Sequence, residues 1–176
     1  MGTTLNAMIR SIVEPTMLEE TALGGSGGLR DVLDEAASTR RYTFNHGASD
    51  DGVADVLMHD RFQLGSGADL TVDLSDLPSP FGNSQDLTAG RVKLIRIMVG
   101  EDYDGLLIVE PAETDGWTGL LAAGELHLPA GSELLAVDKG NVAFAAGADS
   151  HRLRFRDDGS GLVGGKFDVI VIGSTG

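Results

Sequence analysis

Glu110 and Glu113, or Asp157 and Asp158, are the nearest this sequence comes to a paired-carboxylate site, in which one acid gives a proton and its partner takes one. With 27 Asp and Glu in the chain, near pairs arise by chance. Turn carboxylates also hydrogen-bond their own backbone. No pair stands above the others, and no catalytic residue is assigned. Asp102-Tyr103-Asp104-Gly105, Asp157-Asp158-Gly159 and Asp50-Asp51-Gly52 offer oxygen ligands to a hard cation such as calcium. None completes the D-x-[DN]-x-[DN]-G loop with its distal Glu, and Asp-Gly is also an ordinary hairpin turn. The residues leave a metal site unassigned.

Nucleophilic chemistry has no better foothold. There is no Cys and no G-x-S-x-G elbow, and His46, His59 and His127 are scattered. His127 with Glu125 hints at a cupin-type metal site, but the other closely spaced His ligands are missing. Gly24 to Gly28 is followed by no Lys-Ser/Thr and preceded by no apolar strand, so it cradles no phosphate. The expectation is a protein that is not an enzyme and carries no cofactor.

Two features point to contacts instead. Trp117, between Gly116 and Gly119, suits a sugar-stacking platform, an interface anchor or a cap over one end of the core. Arg152, Arg154 and Arg156 share one face of a strand and form the one concentrated basic feature. They can pair with acidic strands of the same fold or with an acidic face of a neighbouring subunit.

The balance of 13 Lys and Arg against 27 Asp and Glu gives a formal charge of −14. A surface this acidic repels phosphate backbones and anionic lipid, so neither nucleic acid nor membrane is an expected partner. No stretch reaches the ~18 apolar residues that span a bilayer. The first residues match neither a Sec signal nor a myristoylation motif.

The elements that would position these residues fall into two parts. Leu5, Met8, Ile9, Ile12 and Val13 have helical spacing up to Pro15. A short amphipathic helix is one reading, and an extended arm docked on a neighbouring subunit is the other. Gly24 to Gly28 is a flexible linker, and Leu29, Val32, Leu33 and Ala36 suggest a second short helix. From Arg41 the period changes to two. Strands are expected at 42–44, 56–64, 70–74, 92–99, 106–109, 125–128, 134–137, 142–144, 152–156 and 167–172, with the last two forming a hairpin. Short strands at this spacing predict a mostly β chain: an antiparallel β-sandwich or jelly-roll-like barrel over residues 41–176, with a short partly helical N-terminal arm and Gly-rich linker over 1–40.

The run His59-Asp60-Arg61, Leu70-Thr71-Val72-Asp73-Leu74, Pro80-Phe81-Gly82 and Arg91-Val92-Lys93-Leu94-Ile95, with the ending Phe167-Asp168-Val169-Ile170-Val171-Ile172-Gly173, resembles small β-rich virion structural proteins of tailed bacteriophages. The resemblance covers residues 55 to 175 and transfers no active-site residue. It implies a head decoration (cement) or tail-associated protein of the virion, a homo-oligomer on the capsid surface that contacts other virion proteins such as the major capsid protein. Leu5, Met8, Ile9, Ile12, Trp117, Arg152, Arg154 and Arg156 are then the candidate partner contacts. The alternative is a glycan- or receptor-binding module of a fibre or surface protein, acting through the loops near Trp117.

Overall fold

The computed structural model describes residues 7–12, 39–46, 53–79, 84–122, 124–138 and 144–175. The described residues form strands, turns and irregular segments, with no helix among them. Chain contacts define two compact units, Asn6–Phe44 and Asn45–Gly176, the latter together with Met1–Leu5.

In the smaller unit β1 (Ala7–Ile12) pairs antiparallel with β2 (Thr39–His46), Ala7 opposite Phe44 and Ile12 opposite Thr39. The helix expected around Met8, Ile9 and Ile12 is therefore not formed. Six residues satisfy a helical and an extended pattern about equally well, and the ladder with residues 39–44 supplies the hydrogen bonds that a helix would have made internally. Leu5 and the second expected helix, Leu29 to Ala37, lie outside the described residues. In the larger unit, the last two residues of β2 pair parallel with β3 (Val53–Ala54).

Two four-stranded antiparallel sheets make up most of the larger unit. One has the order β11-β8-β13-β4, built from Glu133–Val137, Arg91–Val99, Gly165–Ser174 and Val56–Leu64. The other has the order β10-β9-β12-β5, built from Leu126–Pro129, Leu106–Pro111, Arg152–Asp157 and Asp69–Asp73. A small ladder of β6 (Leu77–Pro78) with β7 (Ser84–Gln85) lies between β5 and β8 in the chain.

Within these eight strands the first pairs with the last, the second with the seventh, the third with the sixth and the fourth with the fifth. Only β9 and β10 are consecutive in both chain and sheet; the other connections change sheet. The expected hairpin of Arg152–Arg156 with Phe167–Ile172 is thus corrected. β12 pairs with β5 and β9, whereas β13 pairs with β4 and β8. Gly159 and Gly164, at φ of 72° and 68°, turn the chain out of one sheet and into the other. Residues 142 and 143 of another expected strand lie outside the described residues, and Phe144 sits in a bend at φ 51°.

Alternation decides which side chains meet. Leu153 and Phe155 of β12, Val72 of β5, Leu107 and Val109 of β9, and Ile95, Ile97, Val169 and Val171 of the other sheet enter one buried hydrophobic cluster. Residues 152, 154 and 156 of β12 are turned to the other face.

Candidate functional site

That other face gathers charge. Arg152 Nε lies 3.0 Å from Asp73 Oδ2, and its Nη1 lies 3.5 Å from Asp115 Oδ2. Arg154 reaches Asp69 at 3.1 Å, Glu113 at 3.3 Å and Glu110 at 3.7 Å. Arg156 reaches Glu110 at 3.3 Å and Glu125 at 3.7 Å. The register explains this set. β12 lies between β5 and β9, with Arg152 opposite Asp73 and Arg154 opposite Glu110. Six carboxylates surround three guanidinium groups, so the face keeps an excess of negative charge. Of the two readings of the arginine row, the described contacts are those within the chain.

Glu110 and Glu113 do come together, but around Arg154. The two carboxylates share one guanidinium, which ties β9 and the segment after it to β12. Glu125 accepts from the His127 ring at 2.8 Å, which holds its carboxyl below the usual range, with Arg156 adding to the effect. At Asp73, burial pushes the pKa up, but hydrogen bonds from the Ser75 amide and hydroxyl and from Arg152 outweigh it, and the net shift is downward. An open concavity of about 500 Å³ over this face is lined by Asp69, Thr71, Asp73, Glu113, Arg152 and Arg154, among others.

Trp117 is not at the surface. Its exposure is 0 %, it belongs to the hydrophobic cluster, and its indole N–H donates to the Ala145 carbonyl at 3.0 Å. A Cβ on Gly119 would stand 2.6 Å from Trp117 Nε1, so glycine is needed there for close packing. Trp117 is corrected from a candidate partner contact to a core residue. The loop that carries it is tied to β12, with Trp117 N–H donating to the Arg152 carbonyl at 2.7 Å. Met8, Ile9 and Ile12 lie on β1, outside the larger unit.

Two of the proposed cation loops meet at one corner, where their carboxylates cap backbone amides. Asp157 Oδ1 accepts from Gly67 and Gly159, Asp158 Oδ1 from Leu106 and Ser160, and Asp104 Oδ2 from Leu162. Asp50-Asp51-Gly52 lies outside the described residues. Among the described residues no group of three or more His, Asp or Glu is placed to hold a metal ion.

Sequence reasoning missed the most unusual polar pair at this corner. Tyr103 Oη and Asp157 Oδ2 are both buried and interact with each other, but neither closes a well-formed hydrogen bond. Burial first, and the neighbouring Asp157 carboxylate second, push the Tyr103 phenol up, so it stays protonated. It also missed His151, 7 % exposed, whose Nδ1 lies 3.0 Å from the Gly147 carbonyl and whose Nε2 lies 3.7 Å from Asp73 Oδ1. Neither position carries a sequence signal beyond its residue type. Comparisons of the chain with protein-family models, curated proteins and solved structures gave no match.

Proposed function

We propose that this chain is a structural protein of a virion, a decoration or cement protein of a tailed-bacteriophage capsid that works as a homo-oligomer, and that its two sheets form a jelly-roll sandwich. The observation that carries the reading is the pairing order, first strand with last through to fourth with fifth. That is the order of a long hairpin rolled into two sheets, an architecture used by viral capsid proteins, lectins and cupins. Fold alone does not choose among these, so the choice rests on the surface. A cupin needs converging metal ligands, and the described residues bring none together. The glycan-binding alternative rested on Trp117, which is buried.

The arginines brace their own sheet, and the aspartates at the corner cap turns. Polar side chains spent on rigidity suit a load-bearing subunit. On this reading the acidic face of β10-β9-β12-β5 is turned outward or toward a basic partner such as the major capsid protein, and Leu5, Met8, Ile9 and Ile12 of the arm touch a neighbour. Native mass, measured by size-exclusion chromatography with light scattering, tests it. A discrete closed assembly supports the reading, and a monomer at micromolar concentration overturns the homo-oligomer.

A further inference from the structure

β1 and β2 carry Arg10, Arg40 and Arg41 and no acid, in a chain whose formal charge is −14. The ladder between them places Arg10 directly opposite Arg41. Like charges so placed destabilise a strand pair, and an anion shared between them relieves the repulsion. Alternation puts these two positions on one face of the ribbon, with residues 8, 12, 39 and 43. Phe44, opposite Ala7, is buried and belongs to the other face.

The outer face of β10-β9-β12-β5 has the opposite charge. Its six carboxylates against three guanidinium groups leave three negative charges unmatched. Within a single copy Glu113, Asp69 and Glu125 keep 88 %, 49 % and 48 % of their side-chain surface. No segment of the same chain closes over them, so whatever covers this face comes from another molecule. Glu113 and Asp69 line the concavity of about 500 Å³, each bonded through one oxygen to Arg154. No other hydrogen bond to either carboxylate forms among the described residues. Each therefore has an oxygen to offer a second guanidinium.

We infer that the Arg10–Arg41 face of one copy's β1–β2 ribbon lies on the acidic outer face of β10-β9-β12-β5 in a second copy. Three arginines without an acid meet a face with three negative charges to spare, and the repulsion between Arg10 and Arg41 is relieved by Asp69 and Glu113 of the neighbour. Ribbon and face are different surfaces, so copies exchange ribbons in a pair or pass them round a ring. The inference rests on the homo-oligomer reading above and names the two surfaces that meet.

An exchange of charge tests the contact. Arg10→Glu with Arg41→Glu reverses the ribbon, and Asp69→Lys with Glu113→Lys reverses the face. Each double variant alone should self-associate at least about tenfold more weakly than wild type. Mixed, the two should form complexes that neither forms alone, because each then meets its complement. Size-exclusion chromatography with light scattering reads both results, and unchanged Trp117 emission shows that the larger unit is folded. Wild type gives a measurement that needs no variant. The contact joins exposed charges, so its Kd should rise at least about tenfold between about 0.05 M and about 1 M NaCl. Association indifferent to salt would overturn the contact, and so would two dissociated variants that stay apart on mixing. A face variant that dissociates beside a ribbon variant that does not would put another part of the neighbour on the acidic face and overturn the ribbon's role. Unchanged mass in both variants would overturn this contact and leave the homo-oligomer standing. A wild-type mass of 18.4 kDa would remove both.

Discussion

Gln85 turns its carboxamide onto the backbone of Leu57 as a neighbouring strand would. Leu57 N–H donates to Oε1 at 3.1 Å, and Nε2 donates to the Leu57 carbonyl at 2.9 Å. Leu57 lies on β4, an edge strand of nine residues. Four residues further on, the Arg61 amide donates to Asp60 Oδ1 at 2.8 Å. An open edge of this length is a template for pairing with another chain, and side chains that occupy its amides blunt it.

Gln85→Ala should therefore cost about 1–3 kcal/mol, because two half-buried backbone groups lose their partners together. Gln85→Glu should also destabilise, since a carboxylate can accept from the Leu57 amide but cannot donate to its carbonyl. Urea midpoints measure the first effect, and light scattering during refolding shows whether the opened edge aggregates. Unchanged midpoints in both variants would mean that the carboxamide bridge contributes nothing to stability.

The strands were largely legible, and their partners were not. Strict alternation in Arg152-Leu153-Arg154-Phe155-Arg156 places its apolar residues in the core and its arginines on the outer face. What misled was nearness in sequence. Phe155 and Phe167 belong to neighbouring strands of the chain but to different sheets, and they meet by stacking at 5.1 Å between ring centroids. A short Gly-rich connection can close a hairpin or cross between sheets, and the choice depends on long-range burial that no local pattern records. The helical reading of residues 7–12 missed for a related reason, since their partner lies at 39–44. At Trp117 the flanking glycines signal a loop. Gly119 does lie in a loop, and it is also what lets the indole pack against the backbone. Lys93, fully buried on β8, was invisible, because residue type argues against its burial.

Acid should unfold this protein through a small set of carboxylates. Asp73 and Asp168 both have folded pKa values below their ordinary ones, Asp168 mainly through its hydrogen bonds from Arg61. A depressed carboxylate stabilises the fold above its unfolded pKa, and that contribution is lost as pH falls through the folded value. Tm should stay nearly flat from neutral pH down to about pH 5 and fall below about pH 4, where unfolded carboxylates take up protons. Asp73→Asn should lower Tm at pH 7 and make little difference at pH 3. An equal loss at both values would place its cause in packing rather than charge.

Trp117 should behave as a core residue in every respect. Trp117→Phe removes the bond to Ala145 and leaves a void, at a cost of about 1–3 kcal/mol, and Trp117→Ala should cost about 3–5 kcal/mol. Its native fluorescence should be blue-shifted and poorly quenched by iodide. Strong iodide quenching in the folded protein would place the ring at the surface and restore the stacking-platform reading.

Tyr103 makes the least intuitive prediction, because deleting its buried hydroxyl should be nearly free. The oxygen closes no well-formed hydrogen bond, so Tyr103→Phe removes a desolvated polar atom and only a loose approach to the Asp157 carboxylate. The change should fall within about 1 kcal/mol of zero and can be stabilising. Asp157→Ala should be clearly worse, because the Gly67 and Gly159 amides lose the oxygen they share. Ionisation gives an independent measure. The folded phenol is raised above its unfolded value, so its stabilising contribution is complete below the unfolded pKa of about 10 and declines as pH rises beyond it. Absorbance at the phenolate band should show no difference between wild type and Tyr103→Phe until the protein unfolds in alkali. A native-state difference that titrates near the ordinary tyrosine value would mean that the phenol reaches water and that the corner it shares with Asp157 is open.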